Sequence, residues 1–450
     1  MKTKFNCFPI VLVSLAIASV THAVTITWTN TAGGNWSVSN NWSPNQVPGV
    51  SDTALITNSG TYTITVTTVV GVSNVFLGSS SGTQTLTLSS GSLNATNIST
   101  QTTNGAITLA GGTIANATIN LTNGTSLIAQ SGTFNGVTMS GTLDVGNSVN
   151  AADLTVTNGL VLNGTALVGN PTNVSYAGYI SFVGSQTLGG TGTVVFGDNA
   201  TYNALRLADG GTTLTIGSGI TVEGQNGTIG YSSAWGGPQN VSVVNQGVIS
   251  ADVSGGTISI EAEPFDNNGT LAATLGTAAL DGSFNLASGT LAFGLSNTNT
   301  FGKIQISGSA ALAGTVAATL LNGFMPAVSN SFPVLTYGSF TGAFTNAELP
   351  SGFVWQTNYG PTTFTLTVTL TASGISTVLK PILNPSGQFL LQFIGSTNAE
   401  YTVLASTNLA VPLSNWVTLG NAAVLSNTLF QFVDTNSTNF PARFYMLRSP

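Results

Sequence analysis

Three carboxylates lie close together in a chain where charged side chains are scarce. Glu261, Glu263 and Asp266 fall within segment 260–266. Glu261 and Glu263 are two residues apart, so on one β-strand they would point to the same face. Paired carboxylates can perform acid–base chemistry on a glycoside or hold Ca²⁺. We treat these three residues as a candidate Ca²⁺ or glycan contact, with a solvated acidic face as the alternative.

Aromatic side chains offer a second kind of site. Tyr231 and Trp235 lie in the glycine-rich loop 230–237, and this pair could stack on sugar rings. Trp28, Trp36 and Trp42 could do the same, but capping an apolar core is the favoured interpretation for these three.

A weaker charged group combines one cation with two acids. It consists of Asp198, Arg206 and Asp209.

The composition excludes several kinds of chemistry and partner. Only 5% of the 450 residues are charged, and 7 Lys and Arg face 14 Asp and Glu. This balance is opposite to that of nucleic-acid-binding proteins, so we expect no nucleic-acid partner. The single Cys and single His are Cys7 and His22, and beyond them no Cys–His or Ser–His–Asp catalysis can be assembled.

The first 23 residues are typical of an export signal. Lys2 and Lys4 precede an apolar run over 8–20, and the run ends at a small-x-small site closed by Ala23. The run is shorter than a membrane span. We therefore predict a secreted protein, extracellular or at the cell surface, with no spanning segment, Cys or His after residue 23.

The rest of the chain predicts β-strands. Runs such as 61–66, 83–88 and 363–368 alternate Thr with apolar residues, which is typical of strands with one buried face. Gly followed by a small or branched residue and then an aliphatic or aromatic residue recurs at intervals of about 21 residues. Its copies begin at Gly91, Gly112 and Gly132, and again at Gly247, Gly269 and Gly289.

These repeats favour a right-handed parallel β-helix followed by a small C-terminal β-sandwich-like domain. Glycine would allow the corners to turn, and inward aliphatic residues would stack along the core. Asn245 and Asn267 would bond to the backbone inside turns. The irregular spacing between residues 145 and 240 predicts a bulge or a loop-rich segment. Packed antiparallel sandwiches are the alternative.

Three stretches resemble known modules of bacterial secreted proteins. Residues 28–52, with Gly33-Gly34-Asn35-Trp36 and Asn40-Asn41-Trp42, resemble the N-terminal cap of large β-helical surface proteins with autotransporter- or filamentous-haemagglutinin-like repeats. Residues 303–368 are similar to the segment that closes the β-helix in autotransporter-like proteins. The tail from about residue 387 resembles a small all-β C-terminal module of secreted proteins from Verrucomicrobia and related bacteria.

The tail also predicts a local core and an ion pair. We expect Arg443 to pair with Asp434 beside a set of aromatic side chains. That set is Trp416, Phe430, Phe432, Phe444 and Tyr445.

The predicted organisation has five parts. They are a signal over 1–23, an N-terminal cap over 24–58, β-helix repeats over 59–298, a closing β module over 299–374 and a C-terminal all-β module over 375–450.

The resemblance and the composition together imply a non-enzymatic surface or matrix protein with an adhesive or structural role. Its partners would be extracellular polysaccharide or cell-surface components, and it would need no cofactor unless Ca²⁺ binds at the acidic cluster. A β-helical polysaccharide lyase or glycoside hydrolase, or a lectin-like module, are the alternatives. An enzyme should collect carboxylates with Arg206 or Lys303 on one face.

Overall fold

The computed structural model describes residues 23–122, 124–286, 288–371, 377–378, 382–395, 399–426 and 429–448. Residues 1–22 of the predicted export signal, with Cys7 and His22, lie outside this part of the chain. The described chain is all-β: it contains strands and three short 3₁₀ helices and no α-helix. The 3₁₀ helices are Ser39–Asn41, Leu413–Asn415 and Ser437–Asn439.

The chain forms two compact units. The first extends to Val248 and includes Glu261–Glu263, and the second comprises Ile249–Ile260 and Pro264–Pro450. The strands of the first unit are β1 (Thr25–Trp28), β2 (Gly34–Asn35), β3 (Trp42–Ser43), β4 (Thr53–Ile56), β5 (Tyr62–Val66), β6 (Val69–Leu77), β7 (Gln84–Leu88), β8 (Ser92–Thr100), β9 (Gly105–Ala115), β10 (Thr118–Asn120), β11 (Ser126–Ser140), β12 (Thr142–Val145), β13 (Ala152–Leu162), β14 (Thr165–Val168), β15 (Gly178–Phe182), β16 (Gln186–Gly190), β17 (Thr193–Phe196), β18 (Ala204–Leu207), β19 (Thr213–Ile216), β20 (Thr221–Gly224), β21 (Asn226–Gly230) and β22 (Ser242–Asn245).

The remaining strands belong to the second unit, apart from the terminal residues Val248 and Glu261. They are β23 (Val248–Ala251), β24 (Thr257–Glu261), β25 (Phe265–Asn267), β26 (Thr270–Ala273), β27 (Thr277–Leu280), β28 (Phe284–Asn285), β29 (Thr290–Leu295), β30 (Lys303–Ile306), β31 (Ser309–Leu312), β32 (Thr315–Leu320), β33 (Ser331–Thr336), β34 (Ser339–Gly342), β35 (Asn346–Glu348), β36 (Phe353–Tyr359), β37 (Thr363–Thr371), β38 (Thr377–Val378), β39 (Ile382–Leu383), β40 (Phe389–Ile394), β41 (Thr402–Ser406), β42 (Val417–Asn421), β43 (Ala423–Val424), β44 (Leu429–Asp434) and β45 (Phe444–Arg448).

Parallel strand ladders dominate the first unit. Near its start every second strand pairs, β5 with β7 and β7 with β9, and Leu86 lies opposite Ile107. From β14 onward every third strand pairs, β14 with β17 and β17 with β20, and Leu167 lies opposite Val195. The offset thus grows from 21 to 28 residues, and the register shifts within the pairings of β11 with β9 and with β13. This longer offset explains the irregular repeat spacing between residues 145 and 240.

Alternating burial follows the ladders, as the Thr-rich runs predict. In β19 the apolar Leu214 and Ile216 are fully buried, while the Thr residues beside them are partly exposed. Because successive side chains of a strand point to opposite faces, each parallel pair stacks aliphatic residues on one side only. The polar side is left for solvent or for the loops that fold over it.

Three indoles form a buried cluster at the start of the first unit. Trp42 lies 5.0 Å from Trp28 and 4.8 Å from Trp36, both in edge-on geometry, and all three rings are 0% exposed. The Nε1–H of Trp42 donates to the carbonyl oxygen of Trp36 at 2.8 Å. Because buried rings cannot stack on a sugar, the sugar-stacking alternative is wrong for these three side chains, and their capping role stays a prediction.

The second unit repeats the parallel pattern and then changes direction. β26 pairs with β29 and β29 with β32, in parallel throughout. β37 pairs antiparallel with both β33 and β36. Asn267, 1% exposed, donates from Nδ2 to the carbonyl oxygen of Thr290 on the next ladder step at 3.3 Å, which confirms the predicted turn role for this residue.

Two antiparallel sheets make up the C-terminal part of the second unit. One contains β38, β39, β40, β43 and β44, and the other contains β41, β42 and β45. Their buried core is Leu391, Phe393, Tyr401 and Phe430. Of the five aromatic side chains predicted to form a core, Phe430 belongs to this cluster and the other four do not; Phe444, on the edge strand β45, is 37% exposed. The predicted ion pair is confirmed, with Arg443 Nη1 2.7 Å from Asp434 Oδ2.

The close approach of neighbouring ladder steps leads to a first testable prediction. A Cβ on Gly164 would lie 2.0 Å from the carbonyl oxygen of Gly141, which accepts the ladder hydrogen bond from Thr165. We expect Gly164→Ala to lower the free energy of unfolding by about 1–3 kcal/mol through overpacking. Chemical denaturation of the full chain measures this change.

Gly189→Ala is the matched control. A Cβ at Gly189 would meet only Thr187 Cγ2 at 4.0 Å, so the change should stay within about 0.5 kcal/mol. Equal destabilisation by both substitutions would contradict the inferred role of the close backbone approach.

Candidate functional site

The predicted acidic cluster is not built as the sequence suggested. β24 ends at Glu261, so the expectation that Glu261 and Glu263 share one strand is wrong. The carbonyl oxygen of Glu261 accepts the Tyr231 N–H at 2.8 Å, and the Glu263 N–H donates to the Val241 carbonyl at 3.0 Å. These backbone bonds turn the chain immediately after the strand, where the Glu263 side chain is exposed.

Asp266 lies in the second unit, on β25, and is exposed. Among the described residues no group of three or more His, Cys, Asp and Glu side chains is arranged to hold a metal ion. Ca²⁺ binding at the three acids stays a prediction.

The loop between β21 and β22 brings Trp235 to Tyr179 on β15 and to Tyr202 in the turn before β18. Its ring lies 4.4 Å from that of Tyr179, tilted by 33°, and 5.4 Å from that of Tyr202, edge-on at 61°. Its Nε1–H donates to the carbonyl oxygen of Tyr202 at 2.6 Å. Tyr231 is not among its ring contacts in the described structure, so Trp235 contacts tyrosines other than the one that the sequence analysis paired with it.

A cleft of about 340 Å³ opens beside these rings. It is lined by Asn150, Ala151, Ser175, Ala177, Asn199, Tyr202 and Trp235. Tyr202 lies at the edge of this cleft and is 45% exposed. Aromatic rings bordered by amide and hydroxyl groups form a surface that can accept both an apolar face and hydrogen-bonding groups of one ligand.

Hydrogen bonds hold the cleft amides in place and leave donors available. Asn150 Oδ1 accepts the Ala177 N–H at 3.1 Å, and Asn199 Oδ1 accepts the Tyr202 N–H at 2.8 Å. In the part of the chain that the structure describes, Asn150 Nδ2 and Ser175 Oγ carry no hydrogen bond. These two groups can therefore bond to a ligand without breaking an existing contact.

A row of charged and polar side chains lies beside the aromatic cluster, on strands β13, β15 and β18. Asp153 lies opposite Tyr179 on neighbouring strands, and Ser181 lies opposite Arg206. The Arg206 guanidinium lies 6.0 Å from the Tyr179 ring centroid, and it donates through Nε to Gly236 O at 3.0 Å and through Nη1 to Ser181 Oγ at 3.3 Å. Arg206 thus fastens the Trp235 loop to the strand surface.

Burial changes the acid–base properties of this row. It raises the pKa of the Asp153 carboxyl. It also raises the pKa of the Tyr179 phenol; the nearby Asp153 carboxylate adds to this increase, and Arg206 opposes it. Both effects favour the protonated forms, since a buried charge loses its hydration.

The structure does not bring together the weaker group predicted from sequence. Asp198 accepts the amide of Gln225, and Asp209 accepts the Gly184 N–H at 2.9 Å. Each carboxylate therefore bonds to a different loop, 25 or 27 residues away in sequence, while Arg206 bonds to Gly236.

Sequence reasoning missed Asn150, Ser175, Asn199, Tyr179 and Tyr202. The three polar residues are 25 and 24 residues apart, close to the 25-residue offset that places Ile180 opposite Leu205. That spacing was the available signal. It becomes informative only when the local ladder offset is known.

No protein-family model matches the chain, and no curated protein matches it. We also find, among the described residues, no helix with the length and apolar character needed to cross a bilayer.

The raised Asp153 pKa yields a prediction of pH-dependent stability. The folded protein holds a proton on Asp153 at pH values where the unfolded chain has released it, so stability falls as pH rises through this window. Asp153→Asn should therefore raise the melting temperature at pH 7 and leave it nearly unchanged at about pH 3, below the ordinary Asp pKa. Thermal unfolding at both pH values tests this expectation.

Glu263→Gln is the control for loss of one negative charge, since its side chain is exposed. A lower melting temperature for Asp153→Asn at pH 7 would show instead that the carboxylate has a stabilising partner.

Proposed function

We propose that this is a secreted, non-enzymatic surface or extracellular-matrix protein that adheres to polysaccharide. In this proposal the strand ladders wind as a right-handed parallel β-helix, and the two C-terminal sheets form a small sandwich-like module. The observation that carries the binding function is the cleft of Tyr202 and Trp235, bordered by Asn150 and Ser175.

The ladder geometry supports the β-helix. Each strand of the later part of the first unit pairs in parallel with the third strand after it, which requires the chain to return to the same side at every step. Crossover connections between parallel strands are right-handed in nearly all proteins. The inward aliphatic stack and the buried Trp28, Trp36 and Trp42 cluster would supply the core and its cover.

The lining of the cleft favours a neutral sugar. A sugar ring has a C–H face that can lie on the exposed ring of Tyr202 and the half-buried ring of Trp235. Its hydroxyl groups can bond to Asn150 Nδ2 and Ser175 Oγ. The lining contains no charged residue. An extracellular polysaccharide is therefore the partner we assign to this site, and its binding would not require Ca²⁺.

The low charge of the chain and its predicted export signal are consistent with this role. With 5% charged residues and abundant Thr, Ser and Asn, the polar faces present mainly hydroxyl and amide groups. Such groups match the hydrogen-bonding character of a glycan surface. Surface location and adhesion agree with the resemblance to β-helical bacterial surface proteins.

A β-helical polysaccharide lyase or glycoside hydrolase is the second candidate. It is favoured by the row of Asp153, Tyr179 and Arg206, which combines a carboxyl group, a phenol and a guanidinium on adjacent strands. Release of reducing or unsaturated ends from a polysaccharide panel, abolished by Asp153→Asn, would establish this function and overturn the non-enzymatic proposal.

Tyr202→Ala provides the direct test of the cleft. The substitution removes an exposed ring and keeps the backbone carbonyl that accepts the Trp235 indole N–H. We expect the affinity for a bound neutral polysaccharide to fall about tenfold, as for loss of a stacking aromatic anchor at a binding site. Affinity electrophoresis against a panel of neutral polysaccharides, with and without EDTA, measures the change.

Tyr231→Ala is the matched control because it removes the tyrosine that lies outside the cleft lining. Unchanged affinity for the control and reduced affinity for Tyr202→Ala would support the site. A loss confined to Tyr231→Ala, or to EDTA treatment, would refute it.

A further inference from the structure

A second cleft, of about 290 Å³, lies within the C-terminal part of the second unit. Its lining includes Thr407, Asn408, Asn415, Val417, Phe440 and Arg443. The last of these is the only charged residue of the lining. The cleft therefore combines one cation with neutral polar groups and an apolar wall.

Arg443 is held rigidly in this cleft. Its side chain is 10% exposed, its Nη1 donates to Asp434 Oδ2 at 2.7 Å, and its guanidinium lies 4.4 Å from the Phe440 ring centroid. In the described residues, its Nε and Nη2 carry no hydrogen bond. Arg443 lines the cleft, so these N–H groups can bond to an anion there without breaking an existing contact.

Asp434 does not accept hydrogen bonds from the Nε and Nη2 groups of Arg443, because other donors already bond to its carboxylate. Oδ2 also accepts the Tyr445 hydroxyl at 2.9 Å, and Oδ1 accepts the Asn436 N–H at 3.0 Å. Burial raises the pKa of Tyr445 and its hydrogen bond to Asp434 adds to this, so the phenol stays protonated as a donor. Asp434 thus positions the Arg443 guanidinium, and the Nε and Nη2 groups of Arg443 remain available to a ligand.

Neutral groups around Arg443 match the remainder of a sugar unit. Asn408 Oδ1 accepts the Ala410 N–H at 2.9 Å, which fixes the amide, and its Nδ2 carries no hydrogen bond in the described structure. The same holds for Asn415 Nδ2 and the Thr407 hydroxyl. The Val417 side chain, 59% exposed, provides an apolar surface beside them.

We propose that this cleft binds the carboxylate of a uronic-acid unit in an acidic polysaccharide. Arg443 would bond to the carboxylate through its unused N–H groups, while Asn408, Asn415 and Thr407 would bond to ring hydroxyls. Three side chains that can bond to hydroxyl groups lie beside a single cation, and this combination favours an acidic sugar over an acidic peptide.

The charge distribution along the chain agrees with an anionic ligand here. Residues 24–379 contain twelve Asp and Glu with only Arg206 and Lys303, whereas residues 380–450 contain two Asp and Glu with Lys380, Arg443 and Arg448. The C-terminal segment therefore repels a polyanion less than the rest of the chain does.

Calorimetric titration of the purified full chain with polygalacturonate tests the proposal. The Asn408→Ala/Asn415→Ala double variant keeps the Arg443–Asp434 pair, and its affinity should fall about tenfold. Arg443→Lys keeps the charge but loses the planar fork and should show a similar loss. Arg448→Gln removes an equal but exposed charge and should bind within about twofold of the unchanged protein.

Two further probes separate the explanations. Polyglutamate must bind at least about tenfold more weakly than polygalacturonate, since it lacks the hydroxyl groups. Equal binding of polyglutamate, or unchanged polygalacturonate affinity in the double variant with a preserved melting temperature, would overturn the proposal. A neutral polysaccharide whose binding depends on Tyr202 reports on the other cleft, so failure of either site is distinguishable.

Discussion

Backbone hydrogen bonding between successive parallel strands is the interaction on which the other features of this protein depend. No Cys follows residue 23, and only 5% of the residues are charged. Stability must therefore come from paired backbone groups and from the aliphatic residues that the pairing stacks. The close approach of neighbouring ladder steps in turn explains a glycine such as Gly164, where a Cβ would meet backbone atoms.

The same pairing assembles the cleft from residues far apart in sequence. Asn150, Ser175 and Asn199 come from three successive passages of the chain, and the loop after β21 returns to place Trp235 on Tyr179. Arg206 secures this loop through Gly236. The cleft is therefore positioned by rigid strands although several of its members lie on loops, an arrangement that favours binding with little reorganisation.

The sequence predicts the elements of the fold better than it predicts the site. Period-two alternation identifies strands such as β5 and β19, and the burial of Trp28, Trp36 and Trp42 follows from their large apolar rings. The Arg443–Asp434 pair could be predicted because opposite charges are so rare here. Each of these inferences depends on a local sequence pattern or on the small number of charged residues in the chain.

The site depends on register, which local pattern does not determine. A ladder offset that grows from 21 to 28 residues decides that Trp235 meets Tyr179 and Tyr202, and not its sequence neighbour Tyr231. In the same way, the end of β24 at Glu261 separates two glutamates that an unbroken strand would have aligned. Hydrogen–deuterium exchange of the full chain, with and without a bound neutral polysaccharide, tests the central claim most directly. We predict slower exchange over residues 199–202 and 231–240, with no sugar released; protection centred on residues 260–266, or release of sugar fragments, would contradict it.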